Sequence, residues 1–180
     1  MIRTARLTLR QVRDEDLDAL FAIYSDPEVM RFINLPHPDR ARTAQMIDGI
    51  KAAHAETGLE YVVERDGALV GKAGLWKFAE VGYAFRRDQW GQGIAREAVG
   101  AVVAAAFARH PGLDALTAEI DPRNTGSAAL LTRLGFREVE RVENAVEIDG
   151  ERFDSAFWRR DRPPDALRRT ASPPGPTAAA

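Results

Sequence analysis

Cysteine is absent from the 180 residues, which excludes a disulfide scaffold, a thiolate metal site and a cysteine nucleophile together. An excess of one charge is also lacking, since 25 Lys and Arg against 27 Asp and Glu leave a formal net charge of -2. Without a basic stripe, nucleic acid binding has no electrostatic footprint, and a small-molecule or protein partner is expected. The longest apolar run, residues 101–108, falls well short of the roughly 20 residues a helical membrane span needs. The opening MIRTARLTLRQ lacks the apolar centre of a signal peptide. A cytoplasmic chain with no membrane partner is therefore expected. Histidine is scarce: His37, His54 and His110 fall in a loop, on a helix and beside Pro111, with no spacing that suggests metal ligands or a triad. They are read as surface residues, and no metal is expected.

What is present is 45% hydrophobic content in a chain of ordinary single-domain length. Residues 5–12 (ARLTLRQV) alternate as a half-buried strand does. Asp14 then caps a helix whose apolar Leu17, Leu20, Phe21 and Tyr24 recur at helical spacing, stopped by Asp26-Pro27. A proline loop at 34–38 leads to a second helix over 40–56, closed by Gly58. Beyond it the period becomes two. Residues 59–65 and 68–78 form a hairpin about Asp66-Gly67, and 80–85 form another strand. A helix over 94–109, apolar almost all round, must lie against a sheet. Then come a strand at 113–120, a helix at 125–134 stopped by Gly135, and a closing hairpin of 138–148 and 152–159. This order implies one α/β (or α+β) domain over 1–161, a mixed central sheet with helices on both faces. From 162 the Pro/Ala-rich RPPDALRRTASPPGPTAAA reads as a disordered tail.

The pair Gly91 and Gly93 stands between a strand and the alanine-rich helix. Such a turn admits a ligand close to the backbone, and the first unpaired amides of the helix make it an anion site. Arg86 and Arg87, just upstream, are placed to meet a phosphate or to form a solvated strand end. Two nucleotide motifs fail here. The dinucleotide fingerprint needs a glycine where Arg96 stands, and the P-loop needs a Gly-Lys-Ser/Thr ending that is missing.

Four segments in order, ARLTLRQVRDEDLDALFAIYSDPEVMRFI from Ala5, YVVERDGALVGKAGLW from Tyr61, EVGYAFRRDQWGQGIAREAV from Glu80 and EIDPRNTGSAALLTRLGFREV from Glu119, resemble the GNAT acyltransferase superfamily. The wider pattern is similar to its ribosomal-protein alanine N-acetyltransferase (RimJ/RimL-like) branch. The resemblance implies a single-domain acyl-CoA N-acyltransferase fold with two splayed strands, here 80–85 and 115–120. It implies an acetyl-CoA co-substrate and direct attack by a primary amine in a ternary complex, the acceptor being a protein N-terminus, an amino acid or another small amine. A monomer or homodimer is expected.

By the same resemblance, Gln92, Gly93, Ile94 and Ala95 hold the coenzyme A pyrophosphate, with Gly91 sparing room. Trp90 stands where the superfamily has Gln or Arg, as is usual in this branch. A backbone amide at Val81, Gly82 or Tyr83 receives the thioester carbonyl. Glu80 is the first candidate general base, with an edge carboxylate facing solvent as its alternative, and Glu119 is the second candidate. Leu131 occupies the position of the superfamily's usual tyrosine acid. Asn124 and Ser127 then become the coenzyme contact and the proton donor, with plain helix capping by Asn124 or Thr125 as the alternative that needs no chemistry. The acceptor pocket would involve Tyr24, Met30, Arg31, Phe32, the 34–38 loop and Trp76. The alternative functions are a non-catalytic acyl-CoA-binding module of the same fold, and an unrelated nucleotide-binding protein.

Overall fold

The computed structural model describes residues 1–164. Eight strands form one mixed sheet in the order β1-β2-β3-β4-β5-β6-β8-β7. They are β1 (Ile2–Arg3), β2 (Thr8–Arg10), β3 (Glu60–Arg65), β4 (Ala68–Lys77), β5 (Glu80–Phe85), β6 (Ala115–Ile120), β7 (Arg137–Ile148) and β8 (Glu151–Asp161). All neighbours are antiparallel except β5 and β6. Among the described residues the fold is completed by α1 (Leu17–Tyr24), α2 (Pro27–Met30), α3 (Arg40–Thr57), α4 (Ile94–Arg109) and α5 (Thr125–Arg133).

The sheet separates two cores, which places helices on both faces. On one face Leu20, Ile23 and Tyr24 of α1 and Ile47 and Ile50 of α3 pack with Val62 and Ala84. On the other Ile94, Ala98, Val99, Val102, Val103 and Ala106 of α4 pack with Tyr61, Leu75, Val81, Phe85 and Leu116. Each fully buried Val, Leu, Ile or Phe contributes about 1.5–3 kcal/mol relative to exposure. The all-round apolarity of α4 resolves into one buried stripe, with the small Ala104 and Ala108 left exposed.

Three expectations are corrected. The first strand is only Thr8–Arg10, and Ile2–Arg3 folds back on it as a further strand. Asp26-Pro27 ends α1 but also begins α2: Pro27 needs no donor at the first helical position, and Asp26 Oδ1 caps it by accepting the Glu28 amide at 2.9 Å. Of the three histidines, His37 is buried, and His54 and His110 are half-buried rather than exposed. His37 stacks on Tyr24 with centroids 5.2 Å apart and bonds Thr43, while His54 and His110 contact the backbone carbonyls of Glu60 and Thr57. In addition Arg162, assigned to the tail, is tied down, donating to the carbonyls of Leu113 and Phe107. The tail from 165 onward lies outside the described residues.

Arg10 anchors the turn before α1. Its guanidinium bonds Asp16 at 2.7 and 2.8 Å and Glu64 at 2.7 Å, and Asp16 also accepts the Arg13 amide. Burial acts to raise the Asp16 carboxyl, but the Arg10 and Arg13 bonds overcome it and hold it below the usual value. The folded pKa is lower than the unfolded one, so this stabilisation is complete above the unfolded value near pH 4 and is lost as pH falls through the folded value. Thermal unfolding measured downward from about pH 5 should show a steeper acid loss in the wild type than in Asp16→Asn.

Candidate active site

Among the described residues the sheet breaks at the β5–β6 junction. The strands pair at a single register position, Glu80↔Thr117, where the Thr117 amide bonds the Ala79 carbonyl at 2.8 Å. Beyond it they diverge, although β5 stays paired to β4 along its length and β6 to β8. These are the two strands expected to splay. The turn feeding β5 is only Phe78-Ala79, with Ala79 at φ 67°. Backbone groups in a strand alternate direction. Ala79 faces β6, while the Arg86 amide bonds Val70 of β4, so odd-numbered β5 residues turn their backbone toward the gap. Past the vertex the next such amide belongs to Tyr83.

The glycine turn lies at the N-terminus of α4. Gly91 and Gly93 have φ of 72° and 76°, a region that disfavours any side chain. No acceptor among the described residues meets the amides from Gly91 to Arg96, whereas the Glu97 amide bonds the Gly93 carbonyl. The turn is braced from outside: Arg6 donates to the Gln92 carbonyl at 3.0 Å and to Glu97 at 2.7 Å, and Arg65 donates to the Gln92 side chain at 2.8 Å. Arg86 and Arg87, by contrast, turn to Asp88 and Asp26.

A cleft of about 840 Å³ opens beside the β5–β6 vertex. Its walls include Glu80, Val81, Gly82, Tyr83, Asn124 and Ser127, together with Glu119. Gly91 to Ala95 are outside this cleft, at the α4 end of β5. Of the residues proposed for the acceptor, Tyr24, Met30, Arg31, Phe32, Asn34, Leu35, Pro36 and Trp76 line it, and His37 and Pro38 do not.

Alternation on β5 sorts the candidates by face. Ala84 belongs to the α1/α3 core and Val81 and Phe85 to the α4 core, so Glu80 and Gly82 face the first and Tyr83 the second. The Glu80 carboxylate accepts the Trp76 indole N–H at 2.9 Å and lies 2.9 Å from Lys77 Nζ. A Cβ on Gly82 would press on the Trp76 ring at 3.0 Å, so the bare glycine lets that ring lie over β5. Glu119 is tethered by Ser155 at 2.7 Å. Asn124 is the N-cap of α5, its Oδ1 accepting the Ser127 amide at 3.0 Å; the capping alternative is what the structure shows, and the Asn124 amide group keeps its donors. Leu131 is fully buried in the core.

Sequence reasoning missed an ion pair in this cleft. Lys72 lines it and meets the Glu60 carboxylate, whose side chain is 1% exposed. Burial pushes the Glu60 carboxyl up, and Lys72 draws it back only in part. The same burial acts to lower the Lys72 ammonium, but Glu60 overcomes it and leaves it raised. The available signal was two opposite charges at inward positions of paired strands, two residues apart in register and so on the same face. Arg123 was also missed. It pairs with Asp121 and lies 5.9 Å from the Phe32 ring and 5.0 Å from the Phe153 ring, bridging the early loop to the last hairpin.

Residues 6–137 match the family model described as Acetyltransferase (GNAT) domain. The chain is 31% identical over 161 residues to the uncharacterized N-acetyltransferase p20 of Bacillus licheniformis, covering 84% of this chain and 90% of that protein. It superposes on a GNAT-family acetyltransferase from Bacillus anthracis with a TM-score of 0.78 at 22% identity, over 89% of this chain and 97% of that one. RimJ of Mycobacterium smegmatis, solved in complex with CoA-disulfide, matches at 0.73 with 26% identity, over 91% and 87% of the two chains. The chain belongs to the GNAT acetyltransferase family. Its eight-stranded mixed sheet with helices on both faces is the GNAT fold.

Proposed function

We propose that the chain transfers an acetyl group from acetyl-CoA to a primary amine, and that it sits in the RimJ/RimL-like branch. The observation that carries this reading is the single-pair vertex at Glu80↔Thr117, with a free-edged gap on one side and an exposed carboxylate-bearing cleft on the other. The similarity to RimJ supports the branch. The acceptor is a peptide or protein N-terminus, an amino acid or another small amine.

The residues present suit coenzyme A. The amides from Gly91 to Ala95, at the positive end of the α4 dipole, suit a pyrophosphate. The free edges of β5 and β6 can pair with the amide groups of a pantetheine arm, to which Asn124 can add a donor. Val81 and Gly82 wall that path, and the Tyr83 amide is aimed to receive the thioester carbonyl; a preorganised donor of this kind is worth about 2.7–4 kcal/mol. On the α1/α3 face Glu80 takes the proton that an ammonium must lose before it attacks.

Incubation with acetyl-CoA and a panel of amines and N-terminal peptides, following free thiol and mass gain, tests the reading. Amine-dependent thiol release is expected. Acetyl-CoA binding with no acetylation anywhere in the panel would favour the non-catalytic module. Tighter binding of ATP or NAD than of coenzyme A would favour a nucleotide-binding protein. Gly93→Val forces a side chain into a positive-φ position at about 1–2 kcal/mol. Calorimetric coenzyme A affinity should then fall roughly tenfold, with the folded circular-dichroism spectrum retained.

A further inference from the structure

One buried titratable group in the cleft has no use in this scheme. The Tyr83 hydroxyl is sealed from solvent and makes no hydrogen bond of ordinary geometry, yet its side chain lines the cleft beside Ser127. A buried donor left unpaired is costly, and a native fold retains one where a ligand or a reaction uses it. Phenylalanine would fill the same space beside the α4 core without that cost, so packing does not account for the oxygen.

We propose that Tyr83 is the proton donor to the departing coenzyme A sulfur, with Ser127 beside it as a relay or second donor. The proposal rests on the acetyl-transfer reading. Its geometry follows from the alternation of β5: Glu80 and Tyr83 project from opposite faces of one strand at the edge of the gap. An amine arriving from the Glu80 face attacks the carbonyl carbon from one side, and the sulfur leaves toward the other, where Tyr83 and Ser127 stand. The superfamily's usual donor position holds the buried Leu131, which can give no proton.

The balance is complete. The ammonium gives one proton to Glu80. As the C–N bond forms, the nitrogen gives up a second to solvent. The C–S bond breaks with its electron pair on sulfur, which takes the Tyr83 proton. Solvent restores the phenol and takes the first proton from Glu80, so the enzyme is regenerated and one proton is released per turnover. Burial pushes the Tyr83 hydroxyl up to about 12, with Ser127 opposing, so the proton is in place across the neutral range. The same desolvation raises the basicity of a sulfur anion leaving into the cleft, which brings donor and acceptor closer.

The test compares the wild type with Tyr83→Phe, each saturated with coenzyme A, following thiolate absorbance as pH rises. A hydroxyl that donates to the sulfur stabilises its anion, so the bound thiol should ionise at a pH about one unit higher in the variant. In parallel, kcat for acetyl transfer should fall about 10²-fold, with KM for acetyl-CoA unchanged. Identical thiolate titrations would overturn the proposal. So would a Ser127→Ala variant that loses this activity while Tyr83→Phe keeps it. A wild type that binds no coenzyme A overturns the acetyl-transfer reading itself, which is a distinct result.

Discussion

Glu80→Gln should lower kcat by about 10²- to 10⁴-fold while calorimetric affinity for coenzyme A stays near that of the wild type. The substitution is nearly isosteric, and a glutamine oxygen can still accept the Trp76 indole N–H that Glu80 holds at 2.9 Å. What disappears structurally is the contact with Lys77, whose side chain is 53% exposed. Ion pairs of that exposure contribute about 0–1 kcal/mol, so the fold survives and the loss is chemical. Lys77→Met isolates this point, because it removes the same ion pair and leaves the carboxylate. Its kcat should stay within about threefold of the wild type. Wild-type turnover in Glu80→Gln would sink Glu80 as the base. Glu119, held by Ser155 on the partner strand, would then be the group to replace.

Much of this site was legible because it depends on local backbone chemistry. Gly91 and Gly93 announce a turn that needs positive φ, and the following apolar stretch announces a helix that buries one face. Asn124 was legible as either a coenzyme contact or a cap, and the structure shows the cap while leaving its amide donors free for the first role. The proline at 27 illustrates the converse. Asp-Pro reads equally as the end of one helix or the capped start of the next, and the pairing of Asp26 with the Glu28 amide shows that it serves as both. His37 was misread because burial depends on what packs over a residue. His37 lies in a proline loop whose polarity says solvent, yet Tyr24 from another element covers it. The Tyr83 hydroxyl escaped notice for the same reason: its burial beside Ser127 of α5 depends on packing between distant parts of the chain.

Glu60→Gln should cost about 3–5 kcal/mol of folding free energy, because it leaves the Lys72 ammonium buried without its counter-charge. At about 2–4 °C per kcal/mol for a chain of this size, Tm should fall by roughly 10 °C. The sheet is built around this pair. Glu60 and Lys72 lie on neighbouring strands, where Glu60 pairs with Gly74 and Lys72 with Val62. A Cβ at position 74 would run into the Glu60 carboxylate and the Leu59 carbonyl, so the glycine makes the room that the carboxylate occupies. The double variant Glu60→Met/Lys72→Met removes both charges and keeps comparable volume, and should regain most of the lost stability. Chemical denaturation of the single and double variants measures the coupling directly, and a Glu60→Gln chain as stable as the wild type would refute it. The same variants separate stability from function. Lys72 lines the cleft on the Glu80 face, so a double variant that folds well but takes its acceptor amine with an altered KM would show that the pair also shapes the acceptor site.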